Sequence, residues 1–119
     1  MTWKPDKSRP ICPQLVEQLC VRIGSGSLQP GQRLKSVRET ALEVGVNPNT
    51  VQKAFEQLEA KGLLISLRGS GWYVSENTEA AREEMEHLLH EKARLFFEDM
   101  RSLGFTDTQI KDFVKEWNE

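Results

Sequence analysis

Apolar residues recur at intervals of three and four positions in two short segments near the middle of the chain, a spacing that predicts amphipathic helices. The apolar positions are Val37, Ala41, Leu42 and Val44 in the first segment, and Val51, Ala54, Phe55 and Leu58 in the second. We expect two adjacent helices whose apolar sides hold the core of the fold.

Local signals set the limits of both helices. Ser36 and Glu39 have the spacing of a capping box, in which each side chain bonds the other residue's backbone N–H. Gly45 is well placed to end the first helix, Asn47 to cap the second, and Gly62 to stop it. Two helices joined by a tight turn that contains glycine form a helix-turn-helix.

The pattern then changes to that of a β-hairpin. Residues 63–68 predict a strand, Gly69-Ser-Gly71 its turn, and residues 72–74 the return strand. A hairpin directly after a recognition helix is a wing, and Arg68 would lie near its tip, where a cation reaches phosphate or the minor groove. Arg33-Leu34 is expected to pair with the wing as a short strand.

The chain before this region predicts an arm and one helix. Residues 1–9 are expected to form an irregular, solvated arm; contact of Lys4, Lys7 and Arg9 with phosphate is the alternative. A helix is expected from Pro13 to about Ser25, packed behind the other two.

Two more helices are expected after the wing. The first runs from about Glu79 to Leu103 with Thr78 as its cap, and the second opens with a capping box formed by Thr106 and Gln109. The aromatic residues of this part are Phe96, Phe97, Phe105, Phe113 and Trp117. Two helices alone cannot bury so many, so they meet either the winged part or a second copy of the chain. We favour the second copy, since a dimer doubles the length of DNA that is read.

These elements predict a mainly α fold with a small β wing. A winged helix-turn-helix domain, residues 1–75, is followed by a two-helix C-terminal dimerisation appendage, residues 76–119. A length of 119 residues suits one small domain with such an appendage.

Charge separates the same two parts. Residues 1–75 hold 10 Lys and Arg against 6 Asp and Glu, a net charge of +4, whereas residues 76–119 hold 6 against 12, a net charge of −6. The basic part is the helix-turn-helix part, which favours nucleic acid as its partner. No apolar run is long enough to span a bilayer and the first residues are polar, so we expect a cytoplasmic protein without membrane contact.

In a helix-turn-helix, the first residues of the second helix reach base edges in the major groove. Here the candidate readers are Asn49, Thr50, Gln52 and Lys53. Gln52 presents a donor and an acceptor together and so suits adenine, while Lys53 suits a guanine or a phosphate.

Several motifs occur in one order and register: Pro10-Ile11, residues 26–34, residues 36–39, residues 46–51, residues 58–63 and residues 68–71. Together they resemble the DNA-binding domain of the bacterial GntR family over residues 10–75. The chain departs from the family pattern at Lys35, where proline is usual, and at Ser70, where a second wing arginine is usual. The Gln52-Lys53 pair resembles one branch of the family.

The resemblance implies further roles. Arg38 resembles an arginine of the family that contacts DNA near the major groove, and Arg68, Gly69 and Ser70 correspond to its wing. The short C-terminal part resembles the YtrA-like branch of the family. The implied protein is a homodimeric transcription repressor whose partners are double-stranded DNA and a second copy. Regulators of the family usually sense a small molecule, which implies an unidentified small-molecule effector, but two helices offer little volume for a pocket.

Other chemistry has little support. No catalytic motif is present, so no enzyme activity and no cofactor are expected. His87 and His90 lie three residues apart among acidic residues, a spacing that suits zinc, but a solvated acidic helix face is the expectation and no metal site is predicted. Cys12 and Cys20 are too far apart along a helix for a disulfide.

One alternative function stays open. A winged helix can serve protein interaction without reading DNA, with the C-terminal aromatic residues as its docking surface. The polar residues at positions 49, 50, 52 and 53, together with Arg38, favour DNA.

Overall fold

The computed structural model describes residues 3–118, and residues 1, 2 and 119, which belong to the predicted arm and appendage, lie outside the described residues. The elements in chain order are α1 (Ile11–Gly24), α2 (Val37–Val44), α3 (Pro48–Ala60), β1 (Leu64–Leu67), β2 (Gly71–Val74), α4 (Thr78–Ser102) and α5 (Asp107–Lys115). The fold is therefore mainly helical with a small β wing, as predicted. The chain divides into a first compact unit that ends at Met85 and a second that begins at Glu86.

The helix-turn-helix forms where the local signals predict it. The Ser36 Oγ accepts a hydrogen bond from the Glu39 N–H at 3.0 Å, and Glu39 accepts one from the Ser36 N–H at 3.1 Å. Gly45 adopts a left-handed conformation with φ of 80°, which ends α2. The Asn47 side chain accepts from the Asn49 N–H at 2.8 Å and so caps α3.

The core of the first unit lies between α1 and the helix-turn-helix. Its buried apolar residues are Leu15, Val16, Leu19, Cys20, Ala41, Val44, Val51, Ala54, Phe55, Leu58, Leu63, Leu64, Val74 and Ala81. The prediction that Leu42 belongs to this core is wrong, because its side chain is 80% exposed. Successive residues of a helix are 100° apart, so Leu42 is turned away from the side that buries Ala41 and Val44.

The wing is an antiparallel hairpin in which Leu64 pairs with Val74 and Leu67 with Gly71. The preceding segment joins it through a bridge between Arg33 and Tyr73, which confirms the predicted short pairing. The Trp72 ring packs edge-on against Phe55 of α3, with centroids 5.4 Å apart. This contact ties the wing to the recognition helix.

The described part of the N-terminal arm is irregular and mostly exposed, as expected, but hydrogen bonds hold it in place. The Gln14 amide bonds the Asp6 N–H and the Asp6 carbonyl oxygen, each at 2.8 Å, and the Pro10 carbonyl oxygen at 2.9 Å. Pro5 is buried. The mixed charge of residues 1–9 did not predict these hydrogen bonds, because they are made by the side chain of Gln14 on α1.

The second unit contains most of α4 and all of α5. The predicted capping box at Thr106 and Gln109 is present, and Ile110 is buried. Asn77, rather than the predicted Thr78, bonds the N–H of Glu79 at the start of α4. Over residues 3–118, no helix is long and apolar enough to cross a membrane.

Candidate nucleic-acid interface

The candidate base readers lie on the first two turns of α3. Asn49 and Lys53 are exposed, while Thr50 and Gln52 are half-buried. Val51, between them, is fully buried and fixes the helix against the core. The helix therefore presents a polar outer face whose orientation is set by its apolar inner face.

Gln52 is held by a neighbour on the same helix. Its Nε2 donates to Glu56 Oε1 at 2.9 Å, one turn further along. This bond uses one of the two N–H donors of the amide and leaves its oxygen to accept. Glu56, which sequence reasoning did not single out, therefore orients the side chain expected to read adenine.

Arg38 lies on the first turn of α2 and is exposed. Its neighbour Glu39 is engaged by the capping box, and the hydrogen bond from the Ser36 backbone holds the pKa of Glu39 below its usual range. Arg33 and Lys35 lower the same pKa through their charges. The start of α2 thus carries several cations beside one carboxylate that stays ionised at neutral pH.

Lys35 occupies the position where the resemblance leads one to expect proline. Its Nζ pairs with the Glu43 carboxylate of α2. The ion pair ties the segment before α2 to the helix itself.

The wing tip consists of Arg68, Gly69 and Ser70, all exposed. Gly69 has φ of 78°, a conformation that favours glycine, so its role is to shape the turn. The Ser70 hydroxyl lies 2.6 Å from the Tyr73 hydroxyl. The serine that replaces the family's second arginine therefore braces the wing, and Arg68 is the cation at its tip.

Arg33 is a candidate that sequence reasoning missed. A Cβ added at Gly71 would lie 3.3 Å from Arg33 Nε, so the guanidinium runs along the root of the wing turn. The same side chain is close enough to Glu39 to lower its pKa. The predicted pairing of residues 33 and 34 with the wing was the signal that could have revealed this position.

The structure joins these parts within the first unit. Phe55 and Trp72 connect α3 to the wing, and the Ser66 N–H donates to Glu59 Oε2 of α3 at 3.3 Å. Arg33 connects the wing root to the start of α2. The predicted site residues of α2, α3 and the wing therefore belong to one connected framework.

The candidate metal ligands show no comparable arrangement. His87 and His90 are exposed, and His90 Nε2 lies 4.0 Å from Glu86. Among residues 3–118, no group of three or more His, Cys, Asp or Glu side chains is placed to hold a metal ion. Cys12 and Cys20 are free thiols.

Known proteins resemble this chain over most of its length. The family model for bacterial regulatory proteins, gntR family, matches residues 13–74. The HTH-type transcriptional regulator YhcF of Bacillus subtilis is 34% identical over 94% of this chain and 93% of its own length. The HTH-type transcriptional repressor YtrA of the same organism is 34% identical over 94% of this chain and 87% of its own length.

Solved structures agree with the sequence comparison. A GntR family transcriptional regulator from Listeria monocytogenes has a TM-score of 0.83 and 31% identity, and the match covers 96% of this chain and all of that one. The DNA-binding domain of AraR in complex with operator ORE1 has a TM-score of 0.54 and 31% identity, covering 56% of this chain and 82% of that one.

Proposed function

The chain belongs to the gntR family of bacterial regulatory proteins, and we propose that it is a homodimeric transcription repressor that binds an inverted-repeat operator. The relatives are transcriptional regulators, and the chain is not an enzyme. The observation that carries the proposal is the polar outer face of α3 beside a braced wing, in a chain that resembles the DNA-binding domain of AraR solved with operator ORE1.

Each part of the interface has its own role in this proposal. Asn49, Thr50, Gln52 and Lys53 read the major groove, because the start of a recognition helix reaches base edges there. Arg38 binds DNA beside them. Arg68 at the wing tip reaches phosphate or the minor groove, with Gly69 and Ser70 shaping the turn.

Repression follows from the kinship with YtrA, a repressor that aligns with this chain from near its start to near its end. In this proposal the protein represses by occupying DNA that the transcription machinery needs. The domain roles are then binding of DNA by residues 1–75 and dimerisation by residues 76–119.

Support for the dimer comes from exposed apolar side chains in the second unit. Phe113 is 51% exposed and Trp117 is 60% exposed, although their rings pack on each other at 5.3 Å. Leu103 and Phe105 are also exposed. Exposed aromatic and aliphatic residues this close together in the chain are more typical of a surface that binds another protein than of one that faces solvent.

The second unit also contains a groove of about 510 Å³, lined by Met100, Phe105, Gln109, Ile110, Asp112, Phe113 and Glu116. Its size is in the range of sites for small molecules. A small-molecule effector held there would change affinity for DNA through the dimer that the same residues form.

The test is selection of DNA by the purified full chain from a random duplex pool, followed by titration at several salt concentrations. We expect enrichment of one inverted repeat and a steep loss of affinity with salt, since released counterions report phosphate contacts. Absence of enrichment, with no binding of duplex DNA at low salt, would instead identify a winged helix that binds protein.

A further inference from the structure

The N-terminal arm, residues 3–9, is folded onto the first unit by its own hydrogen bonds. The Asp6 carboxylate accepts from the Ser8 N–H at 3.0 Å, from the Ser8 hydroxyl at 2.6 Å and from Arg9 Nε at 3.0 Å. These bonds hold the pKa of Asp6 below its usual range. The Gln14 amide also bonds the Asp6 N–H and the carbonyl oxygens of Asp6 and Arg9, so the arm has a defined path.

Two lysines of the arm reach the end of α2. Lys4 Nζ donates to the Glu43 carbonyl oxygen at 2.6 Å, and Lys7 Nζ donates to the Gly45 carbonyl oxygen at 3.0 Å. Both acceptors belong to the C-terminal turn of a helix, where unpaired carbonyls and the helix dipole attract cations. The arm therefore rests on the turn between α2 and α3.

This turn is next to the proposed DNA-reading residues. Gly45 precedes the α3 cap, Asn47, by two residues, so their Cα atoms are at most about 7.6 Å apart. The start of a recognition helix enters a major groove about 12 Å wide, and a phosphate strand runs along each edge of that groove. Cations bound at the turn are thus within about one groove width of the helix start that is proposed to read bases.

The ammonium groups of Lys4 and Lys7 also have N–H donors beyond those that these two bonds use. An ammonium group has three N–H donors, and each of these two uses one on a described carbonyl. Both side chains are exposed. Lys4, Lys7 and Arg9 against Asp6 give the arm a net charge of +2, and the single carboxylate is already engaged by Arg9.

We infer that the docked arm is a further DNA-contacting element, in which Lys4 and Lys7 bind backbone phosphates flanking the base pairs that α3 reads. The inference rests on the proposed function and extends it to residues outside the 13–74 segment that the family model matches. The bonds to the α2 carbonyls hold the two ammonium groups in place before DNA arrives, which lowers the entropy lost on binding.

The experiment compares full-length wild type with Lys4→Gln, Lys7→Gln and the double variant on the selected operator, by fluorescence anisotropy between 50 and 200 mM salt. Each phosphate contact contributes about 0.9 to the slope of log affinity against log salt. We therefore expect each substitution to reduce the affinity loss between the two salt concentrations by about threefold. Lys7→Arg should keep the wild-type slope.

Arg94→Gln, which removes one positive charge from α4, is the matched control and should leave the slope unchanged. Thermal melting of each variant separates the contact from a purely structural role. A double variant that melts earlier but keeps the full salt slope would overturn the inference, since the lysines would then only cap α2. That outcome would leave the proposed function intact, whereas wild type that does not bind duplex DNA would overturn both.

Discussion

The side chain of Gln52, which we propose reads a base, is held by a neighbouring side chain. Its bond to Glu56 fixes the amide plane, leaving one N–H and the oxygen for adenine. We expect Gln52→Ala to relax base preference at one position per half-site by about 1–3 kcal/mol. Competition titrations with operators altered at single positions measure this. Equal discrimination by wild type and variant at every position would exclude base readout by Gln52.

For Arg38 we propose a different kind of contact with DNA. Its exposed position on the first turn of α2 suits a cation that adds affinity. We expect Arg38→Ala to weaken operator binding by about 1–3 kcal/mol. Gel-shift titration measures the change, with Arg94→Gln as the charge-matched control. If both variants lost affinity equally, the effect would come from net charge rather than from position.

Cys20 offers a prediction about pH. Burial, with a smaller effect from Glu84, raises the pKa of the Cys20 thiol to about 11. An unfolded chain ionises this thiol near pH 8.5, so between there and pH 11 the unfolded state binds fewer protons than the folded state. The free energy of unfolding must then fall as pH rises, by at most about 1.4 kcal/mol per pH unit.

Urea unfolding at pH 8, 9 and 10 measures this dependence. Cys20→Ala should be less stable at pH 8 but should lose less stability as the pH rises. Parallel pH profiles for the two proteins would contradict a raised pKa for this thiol.

At the residue scale, the sequence predicted which side chains of α3 are buried better than it predicted what surrounds a given side chain. Apolar spacing identified Val51 and Phe55 as core, because burial follows helical period. It failed for Leu42, since the limit of an apolar face depends on what packs there. The bond between Gln52 and Glu56 also escaped prediction, because a spacing of four residues allows many side-chain arrangements.

At the scale of elements, an aromatic contact contributes to holding the wing. Trp72 packs on Phe55, beside the buried Leu64 and Val74 and the backbone bonds to residues 31–34. We expect Trp72→Ala to cost roughly 2 kcal/mol, about half of what a fully buried aromatic costs. Urea unfolding followed by circular dichroism measures it. Trp72→Phe should recover most of the lost free energy of unfolding. If it did not, contacts other than ring packing would account for the stabilising effect of Trp72.

The starts of α2 and α5 were among the easiest features to predict. Both capping boxes, Ser36 with Glu39 and Thr106 with Gln109, formed as expected because each needs only residues three apart. The docked arm was not predictable. Its two lysine bonds join residues that are about 40 positions apart, such as Lys4 and Glu43, and no local pattern encodes such a pairing.

At the scale of the whole molecule, dimerisation can be tested apart from DNA. We expect the double substitution Phe113→Ala and Trp117→Ala to weaken self-association, since both side chains expose much of their apolar surface. Analytical ultracentrifugation measures the dissociation constant. Leu42→Ala, which shortens an exposed apolar side chain in the first unit, is the matched control. An unchanged constant for the double variant would place the interface elsewhere.

The arm's lysines bond main-chain oxygens of residues 43 and 45, atoms that every polypeptide has at those places. These two bonds therefore do not depend on which side chains residues 43 and 45 carry. A purification tag is better fused to the other end of the chain than beside this contact.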